Sequence, residues 1–131
     1  MGYALCGAIG AKFAEPKRPV FAVDGDGAFQ MHCQEIATAR ENDLSFVVCV
    51  LNDMTLGSIR SAQIRSYGGR IYGTEFKTDI NAANVATAFG GAGERVYDPD
   101  AIGPALDKAM SSKVPYILDI VVDREENPIF G

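Results

Sequence analysis

Three continuous apolar runs punctuate the chain: "PVFAVDG" at 19–25, "SFVVCVLND" at 45–53 and "VPYILDIVVD" at 114–123. None alternates apolar with polar residues, so each predicts a strand buried on both faces, as in a parallel sheet. Between the runs the apolar spacing turns helical. Residues 3–14 carry Ala, Gly and Leu at helical spacing and close at Glu15-Pro16. The spacing predicts a helix over 30–42 with Met31, Ile36 and Ala39 turned inward, and another over 54–65. Residues 80–91 form a pattern stopped by glycine, and 98–112 one opened by Asp98 as a cap. The Gly- and Tyr-rich stretch 65–76 reads as loop. Strands alternating with helices predict βαβ units. The expected fold is one α/β domain over 1–131, a parallel, flavodoxin-like sheet with helices on both faces.

Composition narrows the functional classes. At 131 residues the chain can bury one core. A net charge of -5 without any Lys/Arg cluster argues against a nucleic-acid surface. The apolar stretches are much shorter than a membrane span. The opening "MGYALCGAIGAKFAEP" lacks a basic segment before its apolar part, so it reads as a small-residue helix rather than a signal peptide. Cys6, Cys33 and Cys49 are scattered among apolar residues, which predicts buried free thiols and a cytoplasmic setting.

The chemistry gathers where two strands end. In parallel α/β sheets ligands sit beyond the carboxyl ends of the strands. The first run ends on Asp24-Gly25-Asp26-Gly27 and the second on Asn52-Asp53. Each loop alone is readily a turn or an N-cap. If the strands are parallel neighbours, however, both loops open on one edge, with Asp26 and Asp53 separated by 27 positions. A pair of oxygen donors without a nearby His or Cys cluster suits a hard cation, and Mg²⁺ commonly shares its coordination between one or two carboxylates and substrate phosphates. Gly25, Gly27 and Gly57 would let backbone approach a diphosphate near helix N-termini. "GDGAFQ" lacks the third glycine of a dinucleotide fingerprint, and the acids are wrongly paired for a phosphoacceptor receiver domain. His32, the single histidine, reads as locally satisfied.

Gly25-Asp26-Gly27, 24 intervening residues and Asn52-Asp53 together resemble the diphosphate-binding motif of thiamine diphosphate (ThDP) enzymes. "MGYALCGAIGAKFAEPKRPVFAVDGDGAFQM" and "VDREENP" resemble the acetolactate synthase-like branch. The resemblance, from Met1 to about Pro128, implies ThDP and Mg²⁺ as cofactors. It implies Asp26, Asp53 and the Thr55 carbonyl as metal ligands, with Gly25, Gly27, Ala28, Leu56 and Gly57 along the diphosphate. Met1 and Met31 would line the cofactor groove, and Glu35 would be structural. It further implies decarboxylation of a small 2-oxo acid or its addition to a second carbonyl. The activating glutamate belongs to a separate pyrimidine-binding domain, which has no counterpart in these residues. The expectation is therefore a chain inactive alone, joined with such a domain or subunit in a homo- or hetero-oligomer. Its exposed docking face would favour self-association. The alternative is a non-catalytic assembly module of the same fold. Relatives that make acetohydroxy acids carry a tryptophan where Ala62 stands here, which implies a departure in substrate.

Overall fold

A computed structural model describes residues 1–126. Asn127 and Pro128, the end of the "VDREENP" motif, lie outside the described residues. The chain runs α1 (Tyr3–Ala14), β1 (Phe21–Gly25), α2 (Asp26–Phe29), α3 (Glu35–Glu41), β2 (Val47–Asn52), α4 (Gly57–Ser66), α5 (Ala82–Ala88), β3 (Ala92–Val96), α6 (Ile102–Met110) and β4 (Tyr116–Val121). All strand pairs are parallel, in the order β1-β2-β4-β3.

The apolar runs become the sheet because their alternate residues serve different layers. Val48, Val50 and Ile117 face Leu5, Ala8 and Ile9 of α1, Ile36 and Ala39 of α3, and Ala82 and Ala86 of α5. Val47, Cys49, Leu118 and Ile120 face Ala105 and Ala109 of α6. Helices thus cover both faces, as the uninterrupted hydrophobicity requires. Burying each Val, Leu or Ile among them contributes about 1.5–3 kcal/mol, and each Ala less. No helix among the described residues is long and apolar enough to cross a membrane. The cysteines are free, with Cys49 buried and Cys6 and Cys33 half-buried.

Three elements depart from the sequence expectation. β3, in "AGERV", is a fourth strand where none is predicted. The helix expected over 30–42 is helical as α3 only from Glu35 and follows the single turn of α2. Met31, in the turns between them, is 49% exposed rather than inward, whereas Ile36 and Ala39 are fully buried. Gly27 lies inside α2 and does not precede it. Asp98 does cap its segment, accepting from the Asp100 N–H at 3.0 Å, although the first turn is 3₁₀.

Candidate functional site

β1 and β2 are hydrogen-bonded parallel neighbours, with Gly25 opposite Leu51. Their carboxyl ends therefore deliver both acid-bearing loops to one edge of the sheet. Asp26 opens α2 and is buried, 6% exposed. Its Oδ1 accepts the Gly27 N–H at 2.7 Å. Burial pushes the Asp26 carboxyl up to about 6. The Gly27 N–H opposes that rise, the Asp53 charge adds to it, the Met54 N–H opposes it and Asp119 adds again. The two loops are thus in electrostatic contact through Asp26, Asp53 and Met54.

On the second loop, Asp53 folds back on Thr55. Its Oδ1 accepts the Thr55 N–H at 2.8 Å and its Oδ2 the Thr55 hydroxyl at 2.9 Å. Thr55 itself is 2% exposed. Met54 has φ 56°, a left-handed conformation uncommon for a non-glycine residue. Pairing with the segment around Glu75 secures this stretch: Leu56 N–H donates to the Thr74 carbonyl, and Phe76 N–H to the Met54 carbonyl, both at 2.8 Å. Gly57 starts α4, and a Cβ there would come within 2.9 Å of Asp53 Oδ2. A Cβ on Gly27 would come within 2.5 Å of Leu56 Cδ2 and 3.4 Å of Phe76 Cζ. These two glycines permit the loops to close on each other. α4 has no side-chain cap, which leaves its first amides available to an anion.

Open space lies beside Gly25, where a Cβ would meet nothing within 4 Å. Met1 is 71% exposed. A Cβ on Gly2 would come within 3.4 Å of the Met31 Cβ and run into the His32 ring, so the chain next to Met1 passes close to Met31. Asp24 binds its neighbour, Oδ1 accepting the Gly25 N–H at 3.1 Å, while Oδ2 is buried without a hydrogen-bond partner. Burial raises the Asp24 carboxyl, against the pull of the Gly25 N–H and the chain's amino terminus. Glu35 accepts from the Thr38 hydroxyl at 2.8 Å. One expectation changes in detail: the Gly27 N–H is engaged by Asp26 and does not point outward.

Sequence reasoning missed the partners of Asn52. Asn52 Nδ2 donates to Asp119 Oδ1 at 3.0 Å, and Arg95 Nε donates to Asp119 Oδ2 at 2.8 Å. The available signal was an aspartate inside the apolar run "YILDIVV", since an acid there must be compensated by partners. A hard divalent cation fits the donor set. The Asp53 charge adds to the proton affinity of Asp26, positive charge would relieve that, and the donors are oxygens. No group of three or more His, Cys, Asp or Glu side chains suited to a metal occurs among the described residues. Mg²⁺ completing its shell with phosphate oxygens needs no such group.

An all-parallel, helix-covered sheet with acid-bearing loops at its carboxyl edge defines the class: an α/β ligand-binding domain. The chain belongs to the family described as "Thiamine pyrophosphate enzyme, C-terminal TPP binding domain", whose model matches residues 1–120. It is 37% identical over 126 residues to the probable acetolactate synthase large subunit of Methanocaldococcus jannaschii, covering 96% of this chain and 21% of that protein. It is 32% identical over 127 residues to the acetolactate synthase isozyme 2 large subunit of Escherichia coli (strain K12), covering 97% of this chain and 23% of that protein. The chain therefore spans about a fifth of the length of these relatives. Among solved structures, the thiamine diphosphate-dependent 4-hydroxybenzoylformate decarboxylase of Rhodococcus jostii RHA1 shares the fold, with a TM-score of 0.87 at 24% identity over 94% of this chain and 23% of that one. The chain is thus a thiamine pyrophosphate-binding domain of acetolactate synthase-like type.

Proposed function

We infer that this chain holds the Mg²⁺–diphosphate half of ThDP within an acetolactate synthase-like decarboxylase or carboligase acting on a small 2-oxo acid. The convergence of the Asp26 and Asp53 loops at the ends of adjacent parallel strands carries this reading. Asp26, Asp53 and the Thr55 carbonyl would hold the cation. Gly25, Gly27, Ala28, Leu56 and Gly57 would lie along the diphosphate, with Met1 and Met31 flanking the groove. When bound, the cofactor supplies the electron sink for loss of CO₂. The chain's own residues anchor the charged end and orient the reactive end toward a partner. The reading assigns the activating glutamate to a pyrimidine-binding domain or subunit, so the chain alone has no turnover. The reading places the chain in a cytoplasmic oligomer, a compartment in which its three free thiols would stay reduced.

Titration calorimetry of the chain with ThDP, with and without Mg²⁺, tests binding. Mixing with a pyrimidine-binding domain should restore decarboxylation of pyruvate or another 2-oxo acid. Full activity and Mg²⁺-dependent ThDP binding in an assembled Asp26→Ala enzyme would overturn the assignment. A second reading, an assembly module without catalysis, draws on the apolar face formed by Phe21, Val23 and Leu51, which are 49%, 53% and 42% exposed. No binding heat and no rescue by a partner domain would favour it.

A further inference from the structure

Asp119 is wholly buried in β4, where an ionised carboxylate needs several hydrogen bonds to persist. It receives three. Asn52 Nδ2 donates to Oδ1 at 3.0 Å, while the Ala82 N–H and Arg95 Nε donate to Oδ2 at 2.9 and 2.8 Å. Arg95 directs the rest of its guanidinium outward, Nη1 and Nη2 donating to the two Asp79 oxygens at 2.6 and 2.7 Å. That pairing holds the Asp79 carboxyl below its usual range and raises Arg95. At the other end, Asn52 Oδ1 accepts the Met54 N–H at 3.3 Å. A line thus runs from Asp79 through Arg95, Asp119 and Asn52 to Met54, and longer contacts from Asn52 Nδ2 to Asp79 Oδ1 at 3.5 Å and the Ile80 carbonyl at 3.4 Å close it into a ring. It crosses from β3 over β4 to the end of β2.

Met54 is where the line has most to hold. Its positive φ is unfavourable for an L-residue and persists only where surroundings impose it. Asn52 Oδ1 accepts the Met54 N–H, which also lies against Asp26, and the Asn52 amide is held most closely by Asp119 and at longer range by Ile80 and Asp79, which fixes the direction of its carbonyl oxygen. The next two residues are Asp53's bonding partner Thr55 and the start of the turn into α4. We propose that Arg95, acting through Asp119 and Asn52, is a positioning residue that sets the Asp53–Thr55 loop in its cation-receiving shape before any ligand arrives. The inference rests on the site reading above for its functional consequence, while the loop geometry it concerns is set by contacts within the chain. A loop ordered in advance lowers the cost of binding. Affinity for the Mg²⁺–diphosphate group therefore depends on a residue two strands away from β2 that does not touch it.

The experiment compares amide hydrogen exchange, by NMR, in the full chain and in Arg95→Lys and Asp79→Asn. Lysine keeps the charge but loses the planar fork. Asp79→Asn loosens the exposed anchor and leaves Asp119 paired. A third variant, Ile9→Val in the core under α1, serves as a match for lowered global stability. In both network variants the Met54 and Thr55 amides should exchange about tenfold faster than in the parent, equivalent to about 1.4 kcal/mol. Ile9→Val should leave those two amides unchanged relative to global protection. Calorimetry of Arg95→Lys with ThDP and Mg²⁺ should show affinity about tenfold weaker. If Met54 and Thr55 exchange no faster in the network variants than in Ile9→Val, the line only stabilises the fold and the proposal falls. Failure of the site reading registers separately, as no Mg²⁺-dependent ThDP uptake by the parent chain whatever the exchange rates.

Discussion

At neutral pH Asp26 is a buried carboxylate whose charge is opposed by burial and by Asp53. With its folded-state value near 6, above the ordinary carboxylate value, it contributes stability at low pH that is lost as pH rises through about 6. Asp26→Asn should therefore raise the Tm of the unloaded chain at pH 7.5, by a few degrees, and the difference should vanish below about pH 4. Mg²⁺-dependent ThDP binding should move the opposite way: lost in Asp26→Asn, and in the parent weakened as pH falls through about 6. Melting curves and calorimetry across that range check both limbs. The meeting of Asp26 and Asp53 at one sheet edge was legible in the sequence because hydrophobic runs mark strand ends locally. The partners of Asn52 were not. Asp119 lies 67 positions away, and Arg95 reaches it from a strand without an apolar signature.

β3 shows how an element escapes pattern reading. "AGERV" is short, begins with small residues and carries two charges. Its strand conformation comes from pairing with β4 and from side-chain partners, Glu94 with Tyr116 and Lys108 and Arg95 with Asp119. Its Gly93 has a packing reason. A Cβ there would come within 2.5 Å of the Ile117 carbonyl and 2.9 Å of Ala83 Cα, so α5 would have to lift from the sheet. Gly93→Ala should cost about 1–3 kcal/mol and lower the Tm by about 4–10 °C. Gly103 inside α6 meets nothing within 4 Å, and Gly103→Ala should instead stabilise by about 0.5–1 kcal/mol. Thermal melts of the pair separate close packing from backbone entropy. The same logic explains the shortened helix. The periodicity over 30–42 was real at Ile36 and Ala39, but the turn that carries Met31 follows the site loop.

Over the whole molecule, the two sheet faces are unequally covered. α1, α3 and α5 share one face, whereas α6 alone lies on the other, over β2, β4 and β3. Phe21 and Val23 of the edge strand β1, with Leu51 of β2, are left 49%, 53% and 42% exposed on that second side. Scattered exposed apolar residues are ordinary, but adjacent ones on a sheet face beside an unpaired strand edge favour association. The described residues leave this face open to solvent. The chain alone should therefore self-associate in a concentration-dependent way, and the double variant Phe21→Ser/Val23→Ser should shift it to monomer. Its Tm should change little, because neither side chain belongs to the buried core clusters. Sedimentation velocity over a dilution series reads both. A parent chain that is monomeric throughout would place the driving force for assembly elsewhere. If a pyrimidine-binding domain restores activity, the same two substitutions should weaken that rescue only if the partner covers this face. Self-association and partner docking would then compete for one surface, at the far side of β1 from the helices that support the Asp26 loop.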